Sequence, residues 1–188
     1  MKRYEAHITV ERFPTLEQIV RFQFFCVQHG YKCLLIELNR GRALKVQLMC
    51  AINIESDFDE TALFITNQRV DEIREAGFHV IRVKVESELC KGPAEYFEAH
   101  WKYAPGARQT IAERPPQWAL ASWNLINGAA YLSRRFDSIG QSWQTVQQAF
   151  ESTGDYLKMC GFDAWEKVHY ERVVYDSARN LDAGWEGA

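Results

Sequence analysis

The tripeptide Glu-Ala-His occurs twice in this chain, at 5–7 and at 98–100, each time inside a short alternating run. In Tyr4-Glu5-Ala6-His7-Ile8-Thr9-Val10 an extended backbone puts Glu5, His7 and Thr9 on one face and Tyr4, Ala6, Ile8 and Val10 on the other. Phe97-Glu98-Ala99-His100-Trp101-Lys102-Tyr103 repeats the arrangement, with Glu98, His100 and Lys102 opposite Phe97, Ala99, Trp101 and Tyr103. Imidazole titrates near neutrality and can give or take a proton. Carboxylate and imidazole together also form a donor set suited to zinc, manganese or iron. Two polar strand faces bearing the same pair are either the solvated sides of half-buried strands or two parts of one site.

The elements that must position these residues can be read from periodicity. A strand over about 3–10 precedes a helix opened by Pro14-Thr15, with Ile19, Phe22, Phe25 and Cys26 at helical spacing and Gly30 as its stop. Strands follow at 31–38 and 43–54, then a helix capped by Asp57 or Asp59 and ended by Gly77, then a strand over 78–86. This βαββαβ order predicts a ferredoxin-like sandwich, an antiparallel sheet with helices on one face. After the Gly92-Pro93 break the pattern returns with one helix fewer. The strand with His100 is followed by a proline-bearing stretch, then strands either side of Asn127-Gly128, a helix over about 141–160 and a strand over about 166–175. The alanine-rich 118–131 stretch is alternatively helical. The expectation is an α+β protein of two pseudo-repeated lobes, 1–92 and 93–188, the second missing a helix, with their sheets flooring a shared groove.

Strand parity then gathers a set of side chains. With Leu44, Val46 and Leu48 and with Ile81, Val83 and Val85 turned to the helices, Lys45, Gln47, Arg82 and Lys84 share the face of His7. Arg134 and Arg135 have opposite parity, and Arg135, beside Ser133 and Tyr131, is the one that fits a site. Cations, imidazoles and Thr9 on helix-free faces suit a phosphate group, whose developing charge such groups can hold. The plainer use of the same charges is to solvate an open sheet. A metal reading takes Glu5, His7, Glu98 and His100 as ligands, with His169 and Glu171 repeating the theme on the last strand. At the C-terminal end the plainer reading is an anchored tail closing an apolar groove, with Trp185 packing back; the functional reading puts Asp176 or Asp182 at the rim of the site, orienting a base or a substrate hydroxyl.

The motif His7-Ile8-Thr9-Val10, with His100-Trp101-Lys102-Tyr103 in the second half, resembles the two-histidine phosphoesterases, which include bacterial RNA 2′,5′-ligases and cyclic nucleotide phosphodiesterases. These carry His-hydrophobic-Thr/Ser-hydrophobic once per lobe, and Lys102 departs from the pattern by standing where Thr or Ser is usual. The resemblance implies that His7 and His100 act as general acid and base on a cyclic phosphate or small nucleotide. It implies that no metal or other cofactor takes part, that Thr9 binds the phosphate, and that Lys102 substitutes a point charge for a hydroxyl. The rival from another class is a non-catalytic anion-binding or oligomerisation module.

Composition narrows the field. A hydrophobic fraction of 47% and an aromatic fraction of 13% fit a packed globule. A net charge of −3 without a basic stripe argues against duplex nucleic acid as partner. The absence of a long apolar run or signal-peptide core argues against a membrane and makes the cytoplasm the expected location. Cys26, Cys33, Cys50, Cys90 and Cys160 contain no Cys-x-x-Cys pair, so free thiols are expected rather than a disulfide framework or zinc ribbon.

Overall fold

The structure is a computed structural model that describes residues 1–12, 14–38, 46–88, 92–104, 106–107, 111, 119–137, 141–163 and 165–179. Its elements run β1 (Lys2–Arg12), α1 (Leu16–His29), β2 (Lys32–Leu38), β3 (Val46–Ser56), α2 (Asp59–Glu75), β4 (Val80–Ser87), β5 (Tyr96–Tyr103), β6 (Leu120–Asn124), β7 (Ala130–Asp137), α3 (Trp143–Met159) and β8 (Trp165–Asp176). Local chemistry explains the boundaries. Thr15 and Gln18 form a reciprocal capping box at the start of α1, and Gly30 ends it in the left-handed region at φ 70°. Ser142 caps α3 through the Thr145 amide. Of the 118–131 stretch, the described residues 119–131 belong to a hairpin, in which Gly128 adopts φ 73° and the Asn127 side chain accepts a hydrogen bond from the Ala129 amide at 3.0 Å. Asp59 does not cap α2, because its carboxylate is engaged elsewhere. Phe58 stands at the N-cap position without a side-chain bond.

The expected pair of ferredoxin-like lobes with open sheets is corrected by the strand pairing. The eight strands close into one antiparallel barrel in the order β1-β3-β2-β6-β7-β5-β8-β4, so the molecule is a β-barrel rather than an α+β duplicate of two lobes. Two seams join the halves of the chain. Ile36, Glu37 and Leu38 of β2 pair with Asn124, Trp123 and Ser122 of β6, and β4 pairs with β8 from Lys84↔Asp176 to Ser87↔Arg172. Open sheets would leave four edge strands with unpaired N–H and C=O groups, and closure removes every edge. What parity reasoning treats as a groove floored by sheet is therefore the lumen of a barrel.

Helices and lumen divide the side chains of each strand. Tyr4, Ala6, Ile8 and Val10 of β1 face outward and pack with Phe22, Phe25 and Cys26 of α1 and Ala62, Val70 and Ile73 of α2. In the second half, Phe97, Ala99, Trp101 and Tyr103 of β5 pack with Val146, Phe150 and Leu157 of α3. A separate, smaller apolar cluster of Leu34, Met49 and Ala51, with Ile36 against it, lies inside the barrel. Cys26 and Cys50 are buried, Cys33 is half-buried and Cys160 is exposed, all as free thiols; Cys90 falls outside the described residues. No described helix is long and apolar enough to cross a membrane.

The first turn of α2 is tied to β8 by a buried ion pair. The Arg172 guanidinium, fully buried, donates to both Asp59 carboxylate oxygens at 2.9 Å, and the Tyr4 hydroxyl donates to Asp59 at 2.6 Å. The Arg172 hydrogen bond, acting against burial, holds the Asp59 carboxyl down to about 2. Folding thus lowers this pKa, so its contribution is complete above the ordinary 3.8 and lost as pH falls towards 2. Asp59→Asn should destabilise the protein by about 3 kcal/mol near neutrality, because the buried Arg172 guanidinium loses its charged partner. Urea titrations of both proteins should show that difference shrinking as pH falls below about 4; a difference independent of pH would disprove the linkage.

Candidate active site in the barrel lumen

The lumen holds a cavity of ≈ 370 Å³ with two unlike walls. Inward positions of β1, β4, β5 and β8 supply the charged wall: Glu5 and His7, Lys84 and Glu86, Glu98 and His100, and Glu171. β2, β3 and β6 supply the apolar wall, with Leu34, Ile36, Met49 and Leu120. An eight-stranded barrel has an interior just wide enough to be filled by side chains or to hold one small ligand. A second depression shares Glu5, Lys32, Glu86, His169 and Glu171 with the cavity, which opens the charged wall to the surface at that end.

Each histidine sits between two carboxylates. His7 Nε2 lies 3.1 Å from both Glu5 Oε2 and Glu86 Oε2. His100 Nε2 lies 3.0 Å from Glu171 Oε2 and 3.3 Å from Glu98 Oε2, and its Nδ1 is 2.6 Å from Ser133 Oγ. Both side chains are one-fifth exposed, and that exposure faces the lumen. Burial would lower His7, yet the Glu86 charge and hydrogen bonds to Glu5 and Glu86 push it up to about 10. For His100, burial is overridden by Glu171 and Glu98, with the same result of about 10. The imidazoles are therefore cations at neutrality, with Nε2 committed to carboxylates.

The cations of the lumen are bound into the same network. Lys84 contacts Glu86 Oε1 and, at 2.9 Å, Glu98 Oε2. Although burial opposes its charge, Glu86 and Glu98 raise its pKa well above the ordinary value. Burial would raise Glu86 and Glu98, and Lys84 holds both below the ordinary carboxylate range. Glu86 Oε1 is buried and has no aligned hydrogen bond, its contact with Lys84 being ionic only. Glu171 is shifted the other way, raised by burial and by the neighbouring Glu86 charge. Arg135 donates to Glu98 Oε1 at 2.8 and 3.1 Å. Arg82 is paired with buried Asp176, its two bonds measuring 3.0 and 2.6 Å, and Tyr96 donates to the same carboxylate at 2.5 Å.

Strand parity proves sufficient to bring the predicted residues together. His7, Thr9, Gln47, Arg82, Lys84, Glu98, His100 and Lys102 all line the one cavity. Arg135 reaches Glu98 from β7, whereas Arg134 turns outward to Thr153 of α3. Lys45, Asp182 and Trp185 fall outside the described residues. Three contacts define the roles of these residues further. Glu5 bonds His7 directly despite its strand-period spacing, since both side chains bend into the lumen. Lys102 is paired with Glu166 at 3.2 Å rather than held free. Asp176 anchors Arg82 instead of orienting an imidazole. The sequence reading also omits Glu86, the residue nearest to joining the two histidine clusters. Its signal was present, since Glu86 has the parity of Arg82 and Lys84.

Among the described residues, two groups have the spacing of metal ligands. Donor atoms of Glu86, Glu98, His100 and Glu171 all lie within 4.8 Å of one another, as do those of Glu5, His7 and Glu86. In contrast to this crowded wall, Thr9 and Gln47 are buried, line the cavity and, among the described residues, make no side-chain hydrogen bond. No protein-family model matches this chain, and no curated protein sequence matches it.

In metal-free protein, folding raises both imidazole pKa values above the ordinary 6.5, so their stabilisation is complete below that pH and lost as pH climbs towards 10. Glu171→Gln should lower the His100 pKa by at least about one unit and leave His7 nearly unchanged. An NMR titration of the imidazole resonances checks this; equal shifts at both rings, or none at His100, would refute the assigned pairing.

Proposed function

We propose that the barrel lumen is an active site that hydrolyses a phosphoester bond of a small anionic molecule. The observation that carries this reading is convergence: both Glu-x-His pairs, from distant parts of the chain, meet in one cavity alongside Thr9 and Gln47, whose polar groups are unengaged. Those two groups suit phosphoryl oxygens, which accept from a hydroxyl and an amide N–H. The apolar wall of Leu34, Ile36 and Met49 suits the organic part of the substrate, as in ligand sites that pair an apolar surface with a few placed polar groups.

The histidines take a different task here from the acid and base roles that the resemblance implies. With Nε2 held by carboxylates and a pKa of about 10, each imidazolium is suited to stabilising charge on the phosphoryl group and poorly suited to accepting a proton. Glu171, raised by burial and partly open to the mouth of the cavity, is the better proton acceptor for an attacking water.

The test is turnover of bis(p-nitrophenyl) phosphate and of a nucleoside 2′,3′-cyclic phosphate by the purified full chain. His7→Gln and His100→Gln should each lower kcat at least about 100-fold, and Thr9→Val should chiefly raise KM. Circular dichroism confirms that each variant is folded. Hydrolysis surviving in the double histidine variant would overturn the proposal. Saturable binding of the ester without turnover would also overturn it, leaving a ligand-binding barrel.

A further inference from the structure

We infer that the charged wall is a divalent metal centre in which Glu86 joins two ligand sets, one of Glu86, Glu98, His100 and Glu171 and the other of Glu5, His7 and Glu86. Four features of the lumen point to it. First, the donor atoms within each set already lie within 4.8 Å of one another. Donors around one ion, each at about 2.1 Å, lie about 3.0 to 4.2 Å apart, and His100 Nε2 is already 3.0 Å from Glu171 Oε2 and 3.3 Å from Glu98 Oε2. Second, the Glu86 carboxylate is buried in this wall, and its Oε1 meets the Lys84 ammonium without an aligned hydrogen bond, an oxygen held by charge alone.

Third, the ligand positions are supported from behind. His100 Nδ1 is held by Ser133 at 2.6 Å, which fixes the ring with Nε2 towards the carboxylates. Arg135 grips the other oxygen of Glu98, leaving Oε2 to the lumen. Such outer contacts orient ligands in metal sites generally. Fourth, Glu86 and Glu171 line a second depression as well as the cavity, so the set is bordered by space on more than one side.

The chemistry of the set selects the ion. Glutamates with a single imidazole per cluster and no thiolate suit manganese, iron(II) or zinc, the carboxylate-rich balance favouring manganese. The four-residue set is the tighter site, and the three-residue set, sharing Glu86, is the weaker. Lys84 stands where an ion would act, its ammonium against both Glu86 and Glu98. It is thus a built-in competitor that a bound ion must displace. The centre goes beyond the hydrolytic reading, and it rests on ligand geometry alone.

The experiment is a manganese titration of chelator-treated full-length protein, followed by loss of the free-ion electron paramagnetic resonance signal and by calorimetry. Saturable binding is expected, weakened at least about 100-fold by Glu86→Gln and by Glu171→Gln, while Glu5→Gln removes only the weaker phase. Lys84→Met should tighten binding at least about 10-fold, a gain that a residue with a purely structural role would not produce. Binding absent up to millimolar manganese, or unchanged in folded Glu86→Gln and Glu171→Gln proteins, would overturn the inference. Manganese binding without ester hydrolysis would keep the metal centre and refute the hydrolase, whereas hydrolysis by a protein that binds no manganese would do the reverse.

Discussion

Two strand seams determine what this protein can be. Where Ile36 to Leu38 meets Asn124 to Ser122, and where Lys84 to Ser87 meets Asp176 to Arg172, the backbone ladders of the two halves become one. Without them the charged faces of β1, β4, β5 and β8 would lie open to water, and their ion pairs would be weak, screened contacts. With them the same side chains line an enclosed lumen, where Glu86 is 2% exposed and Glu98 is 1% exposed. Closure thus converts ordinary surface charges into strongly interacting ones. The β4–β8 seam does so most directly, because it sets Glu171 beside the cluster that contains Glu86 and His100.

Such a concentration of charge is not a natural way to stabilise a barrel. Removing carboxylates and ammonium groups from water is unfavourable by several kcal/mol per ion, and pairing at best offsets that. The helices and the outer faces of the strands carry the stability, through the two apolar clusters around Phe22 and Phe150. The lumen has the opposite character, with charged groups packed against one another and an apolar strip left facing a cavity. A division of this kind places the unfavourable electrostatics at the site and the compensating burial outside it, as is common where groups are held ready for a ligand.

Much of the site was legible from alternation alone. Once Tyr4, Ala6, Ile8 and Val10 are assigned to a core, the facing of Glu5, His7 and Thr9 follows, and the same logic places Gln47, Arg82, Lys84 and Arg135. The helix stops and caps were equally local, from Thr15 and Gly30 to the Asn127-Gly128 turn. Closure was not legible. The pairing of Glu37 with Trp123 is long-range, and nothing in either segment specifies its partner. An open sheet and a closed barrel share the same alternation, so parity alone gives a groove for a lumen. The role of Asp59 was hidden for a similar reason. A carboxylate at a helix start reads as a cap until Arg172, far along the chain, claims it.

The central claim is that the two Glu-x-His pairs and Glu86 form one working centre inside the barrel. Anomalous diffraction from a crystal soaked in manganese tests it most directly. A peak is expected in the lumen within about 2.2 Å of oxygens from Glu86 and Glu171 and of His100 Nε2, with the Lys84 ammonium moved aside. A lumen without a peak under saturating manganese, or His7 and His100 facing separate compartments, would contradict it.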